Sequence, residues 1–313
     1  MFFSNMINRI IIRIKVLQVV YAYYQKGKND ILQTEKELLF SIQKSYDLYH
    51  YLLLLISLLT DMEQKRQDIR KHKFLATSEE KNPNTRFTEN RLAQKIRENK
   101  QLSAFANEKG YLWDEDSSLL KKMLDGIINS DLYKEYLLSD DTFEADRDFW
   151  KKTFKNLIFG NEEVEDFLEE KSIYWNDDTE IVGTFALKSI KKIKASDDAD
   201  AKFLPMFKDD EDRQFAIDLL HRSILDRDEN TKRISDQIRN WDAERIAATD
   251  MYIMQMALAE ILSFPSIPVS VSLNEYIDMA KHYSSPKSGT FINGILDAIV
   301  TDLRKDNLIF KNQ

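Results

Sequence analysis

Residues 241–297 read WDAERIAATDMYIMQMALAEILSFPSIPVSVSLNEYIDMAKHYSSPKSGTFINGILD, and the punctuation of this stretch decides the fold class. An apolar run of helical period covers Ala243–Ser263 and stops at Phe264-Pro265, because the residue before a proline is pushed out of the helical region. Ile267-Pro268-Val269-Ser270 bridges to a second amphipathic segment, Leu273–His282. A polar loop with Pro286 and Gly289 then leads into a third, Thr290–Leu303.

Working outward, the same period recurs upstream over Gln214–Asp226 and Thr231–Arg239, and at the N-terminus over Asn8–Gln25, with apolar residues at 10, 14, 17, 20, 21 and 24. Thr34 to about Gln67 reads as one long helix, and Thr34 with Glu37 has the spacing of a capping box. Residues 67–111 are polar and interrupted by Asn82-Pro83-Asn84, which predicts a mobile or weakly packed connection. Helical periods resume over 117–138, 143–159, 162–173 and 179–194, and a second break falls at Ser196–Asp200 and Pro205.

Seven glycines and five prolines in 313 residues are too few for a strand-and-turn architecture, so composition also predicts an all-α protein. The absence of cysteine excludes a disulfide framework and thiolate metal sites, and fits a cytoplasmic protein. The longest apolar run, Tyr51–Leu59, is far short of the ~20 residues needed to span a bilayer, so no membrane partner is expected. No export signal is evident, because Arg9 and Arg13 fall inside the apolar N-terminal stretch; Met6 is an alternative start. The net charge of −8 is unevenly spread. Residues 1–28 hold five basic groups and no acid, 62–113 hold twelve basic against seven acidic, and 114–180 hold eight basic against twenty acidic. A nucleic acid would meet the N-terminal regions and be repelled by the middle.

Catalysis has little to stand on. His50, His72, His221 and His282 are scattered, and none pairs with a carboxylate at ligand spacing. No two glycines are closer than Gly289 and Gly294, which lack the Lys-Ser/Thr of a phosphate loop. No catalytic residue, metal site or cofactor is expected, which points to a binding protein.

The order of signals over 241–297 resembles the C-terminal half of the transcription antitermination factor NusB family. The resemblance is carried by Asp250, Ala257-Leu258, Glu260, Pro268, Asn274-Glu275, Ala280-Lys281, Ser288, Phe291, Asn293-Gly294 and Leu296-Asp297. It covers residues 6–60 and 208–304, and is similar to the long, Bacteroidetes-type form of the family. It implies a NusB-like pair of packed helical subdomains with a large acidic helical insertion at 61–207, partly mobile at 67–111.

The resemblance also implies a function: binding of single-stranded boxA RNA in ribosomal RNA transcripts, together with a small-subunit ribosomal protein (NusE), within the RNA polymerase elongation complex. The implied RNA contacts are Arg9, Arg13 and Lys15 for phosphates, Tyr21 and Phe291 for base stacking, and Asn293 for a base edge or phosphate. Two departures stand out: Ile10, Ile11 and Ile12 fill places that are often basic, and Thr290 stands where relatives usually carry Lys or Arg. The bland readings stay open. Arg9 and Arg13 pack their stems on apolar neighbours, Tyr21 and Phe291 are core aromatics, and Asn293 is a polar residue at a helix start. Asp250, Glu260, Asn274 and Glu275 are expected to be structural, and Gly294 to allow close helix packing. A protein-only adaptor is one rival. A relative of ribosomal RNA cytosine methyltransferases is another, disfavoured by the missing cysteine and Gly-rich loop.

Overall fold

The computed structural model describes residues 6–27, 30–110, 113, 118–238, 246–285 and 287–309, and every described element is helical. In chain order these are α1 (Arg9–Gln25), α2 (Ile31–Lys71), α3 (Ser78–Lys81), α4 (Arg91–Glu98), α5 (Lys100–Lys109), α6 (Ser118–Asn129), α7 (Asp131–Leu138) and α8 (Phe143–Thr153). A π-helical turn, Phe154–Ile158, follows α8. Then come α9 (Glu162–Lys171), α10 (Thr179–Lys192), α11 (Asp210–Leu225), α12 (Arg227–Gln237), α13 (Ala248–Ser263), α14 (Val269–Tyr283) and α15 (Ser288–Lys305). The chain divides into two compact units: Ile7–Ile42 with Phe207–Gln313, here the terminal unit, and Met1–Met6 with Gln43–Met206, the central unit. The first division falls within α2, ahead of residue 61, so residues 43–60 group with the central unit.

The terminal unit is built around α13. Its side chains are buried without interruption from Tyr252 to Ile261, the pattern of a helix surrounded on all sides. α1, α11, α12, α14 and α15 all pack on it. Helix ends follow local chemistry. Asn8 caps α1 by accepting from the Ile11 N–H at 3.0 Å, and Asp209 caps α11 ahead of three acids that suit the positive end of the helix dipole. Pro265 stops α13 as expected; Trp241, the expected helix start at Ala243, and Pro286 lie outside the described residues. Asp30, not Thr34, opens α2. Its carboxylate accepts from the Leu32 N–H at 2.9 Å, while the Thr34 hydroxyl donates back to the Asp30 carbonyl. The spacing of Thr34 and Glu37 suggested a box that the preceding aspartate pre-empts.

The central unit corrects the expectation of a weakly packed connection at 67–111 for its second half, from Phe87 to Ala106, while Phe74 and Leu75 in the first half are exposed. Phe87 is fully buried in an aromatic cluster, 5.7 Å from Trp150 between centroids, and Leu92, Ile96 and Leu102 are also buried. Polarity hides part of this packing, because two of the buried residues are asparagines that cap helices. Asn90 accepts from the Ala93 N–H at 3.1 Å and donates to the Tyr136 hydroxyl at 3.0 Å; Asn99 accepts from the Leu102 N–H. A buried, fully bonded amide costs little, yet hydropathy scores it as loop.

His50 on α2 carries a testable consequence. Its Nδ1 faces the Tyr46 carbonyl at 2.9 Å, which can only accept, so Nδ1 donates and Nε2 is left to accept from the Gln101 amide at 3.3 Å. Burial pushes its pKa down to about 4, against the opposing pull of the Tyr46 carbonyl. An unfolded histidine titrates near 6.5, so between about 6.5 and 4 the unfolded chain binds a proton that the folded chain refuses. The His50 contribution is therefore full above that window and is lost as pH falls through it, by at most about 3 kcal/mol. Urea midpoints of the parent should fall more steeply with acidification across the window than those of His50→Gln. Parallel curves would contradict this.

Candidate functional site

α1 delivers Arg9 and Arg13 from one side, as their four-residue spacing requires. That side faces protein. Both guanidinium carbons lie over the Phe215 ring of α11, at 4.8 Å for Arg9 and 5.5 Å for Arg13. Arg13 then turns inward and forks onto Glu260 of α13, with Nε to Oε2 and Nη2 to Oε1 both at 2.8 Å. The Glu260 oxygens also accept from the Ser272 hydroxyl at 2.7 Å and the Tyr276 hydroxyl at 3.0 Å, both on α14. Glu275 approaches Arg13 Nη1 at 3.4 Å. The Arg13 and Glu260 side chains are 3% and 0% exposed. Burial on its own would disfavour the Arg13 cation, but the hydrogen bonds and charge of Glu260, with Tyr276 and Glu275, outweigh it and raise its pKa. The Glu275 pKa is also raised, by burial, against the pull of Arg13.

This geometry corrects two expected contacts in the free chain. Arg13 and Lys15 are both buried, Lys15 at 0% exposure, so neither offers its charge at the surface. Ile10 is instead 44% exposed. Spacing shows which residues share a helix face but not whether that face meets water. Arg9 remains accessible, with 37% of its side chain exposed beside Asp212 at 3.3 Å. It borders a shallow depression of about 290 Å³ with Ile10, Pro268, Val271 and Glu275.

About three turns along α1 from Arg9, Tyr21 is 43% exposed and meets Tyr252 of α13 edge-on at 5.9 Å. The first turn of α13 also reaches α15, because Asp250 accepts from the Ser288 hydroxyl at 2.8 Å. Phe291 and Asn293 follow one turn later on α15, each half-buried. The close approach expected at Gly294 is found at Gly289, where a Cβ would stand 3.1 Å from Lys281 Cγ; at Gly294 nothing lies within 4 Å. The structure therefore brings Arg9 to Arg13 over one ring and Tyr21 to Tyr252. His221 Nε2 also lies 3.1 Å from Glu35 Oε2, a proximity that sequence spacing did not show. Sequence reasoning singled out Glu260 but missed its partner, and missed Phe215, Ser272 and Tyr276. An arginine inside an apolar helix face, with one acid inside the most apolar helix, was the available signal.

The family model described as "NusB family" matches residues 184–301. The transcription antitermination protein NusB of Salinibacter ruber is 34% identical over 141 residues, which cover 45% of this chain and 81% of that relative. The chain belongs to the NusB family. The NusB proteins of Koribacter versatilis and Desulfatibacillum aliphaticivorans are 41% and 40% identical over 95 and 93 residues, each spanning 30% of this chain and 65% of the relative. No solved structure matches. The NusB match begins inside the stretch 61–207 and takes in Glu260, Ser272, Tyr276, Phe291 and Asn293, whereas Arg9, Arg13 and Tyr21 lie ahead of it.

The buried pair predicts a specific stability pattern. Arg13→Ala and Glu260→Ala should each destabilise by about 3–5 kcal/mol, because each leaves an uncompensated buried charge. The double variant should lose clearly less than the two losses combined. Urea denaturation of all four proteins checks this, and additive losses would contradict the pairing.

Proposed function

We propose that this chain is an antitermination factor that binds single-stranded boxA-type RNA of ribosomal transcripts with a small-subunit ribosomal protein of the NusE kind. In this role it joins the RNA polymerase elongation complex in the cytoplasm. Family membership supports the class of activity. The observation that carries the RNA reading is on α1, where one helix presents an accessible cation, Arg9, and an accessible ring, Tyr21. A phosphate chain with unpaired bases calls for that combination. Phe291 and Asn293 on α15 extend the proposed surface. Arg13 and Lys15 act indirectly, Arg13 by fixing the helix that presents the other two. Residues 61–207 are read as an insertion, although the family match begins within them at residue 184.

A protein-only adaptor is the second reading, and the burial of Arg13 and Lys15 is what favours it. Fluorescence anisotropy with a labelled boxA-type RNA, with and without the ribosomal protein, separates the two. Arg9→Ala should weaken matched and scrambled RNA alike and shallow the salt slope by about 0.7. Tyr21→Ala should cost about 1–3 kcal/mol of binding with the slope unchanged. Absence of binding by the parent protein, even with the ribosomal protein present, would overturn the RNA reading in favour of the adaptor.

A further inference from the structure

We propose that Arg227, at the start of α12, is a phosphate-contacting residue of the RNA surface, held in readiness by the ring of Tyr24. The proposal rests on the RNA reading above and extends it to an element that neither the motifs nor the resemblance pointed to.

The geometry is a ladder within the terminal unit. Tyr21 meets Tyr252 edge-on, and Tyr24 stacks on Tyr252 with 5.4 Å between centroids and 15° between planes. Tyr23 closes on Tyr24 edge-on at 5.1 Å. The guanidinium carbon of Arg227 lies 4.1 Å from the Tyr24 centroid. A half-exposed ring suited to a base, Tyr21, and a cation are therefore joined by one continuous run of contacting rings.

The Arg227 side chain is held by a ring and by no carboxylate. Among the described residues its guanidinium makes no hydrogen bond and no ion pair, and only its backbone carbonyl accepts, from the Thr231 hydroxyl at 2.7 Å, whereas Arg9, Arg13 and Arg233 each hold a carboxylate. Two of the acids beside it are engaged elsewhere: Asp226 with Arg222 at 3.8 Å, and Glu229 with Arg233 at 2.6 Å. Asp228 is exposed and forms no ion pair with it. The contact with the Tyr24 ring restricts the guanidinium, and its N–H groups hold no partner among the described residues. A planar fork of donors with its orientation already paid in part is suited to the bidentate geometry of a phosphate. Single-stranded RNA offers phosphates next to the bases that stack, so a base on Tyr21 would bring neighbouring phosphates toward the end of the ladder.

The test uses the full chain and a labelled single-stranded boxA-type RNA, titrated over a range of salt concentrations, with thermal midpoints recorded for each variant. Arg227→Gln should weaken binding about tenfold and shallow the slope of log affinity against log salt by about 0.7, with the thermal midpoint unchanged. Arg227→Lys, which keeps the charge and loses the planar stack, should retain the parental slope. Parental affinity and slope in Arg227→Gln would overturn the proposal. So would an affinity loss with no change of slope, which would mean that Arg227 acts only by buttressing Tyr24. If Arg9→Ala and Tyr21→Ala weaken binding while Arg227→Gln does not, this proposal alone fails; if the parent binds no RNA, both fall together.

Discussion

A guanidinium leaves water only where a carboxylate meets it and the remaining lone pairs are also satisfied. Arg13 and Glu260 meet that condition: two bonds between them, two more into Glu260 from Ser272 and Tyr276, and the Phe215 ring beneath. The pair ties α1 to α13 and α14 across 247 residues of chain. Compared with an apolar substitute it need not add stability, since desolvation offsets much of the attraction. What it does impose is register, because a carboxylate accepting four directed bonds, two of them from Arg13, is satisfied in one placement of α1.

That placement decides what the terminal unit shows to solvent. With Arg13 committed inward, Arg9 stays at the rim beside Asp212, and Tyr21 comes to lie against Tyr252 with nearly half its surface exposed. The basic character of the N-terminal segment is thus divided between architecture and surface. A count of its cations overstates the charge available to a phosphate chain. The proposed RNA surface accordingly leans on rings and on a few well-placed cations more than on bulk charge, which suits an acidic protein.

The family and the all-helical class were legible before the structure, because proline stops and uninterrupted apolar periods are local signals. α1 was expected over residues 8–25 and spans Arg9–Gln25. What was not legible depends on neighbours distant in sequence. Nothing local tells that Arg13 faces Glu260 or that Ile10 faces water. Asn90 and Asn99 read as loop although each is buried and caps a helix. Thr34 carried a capping signature that Asp30 made redundant. Polar residues in buried, fully bonded positions are the common element in the first and third of these failures, since hydropathy treats polarity as exposure.

The central claim is that Arg13 holds α1 in place and does not touch RNA, while Arg9 does. Side-chain Nε–H resonances of arginine, followed by NMR as boxA-type RNA is added, read both residues in one experiment. The Arg13 resonance should be protected from exchange with water in the free protein, as its bond to Glu260 requires, and should stay in place on titration, whereas the Arg9 resonance should move. An Arg13 signal that exchanges freely with solvent, or that shifts with RNA as far as that of Arg9, would contradict the account.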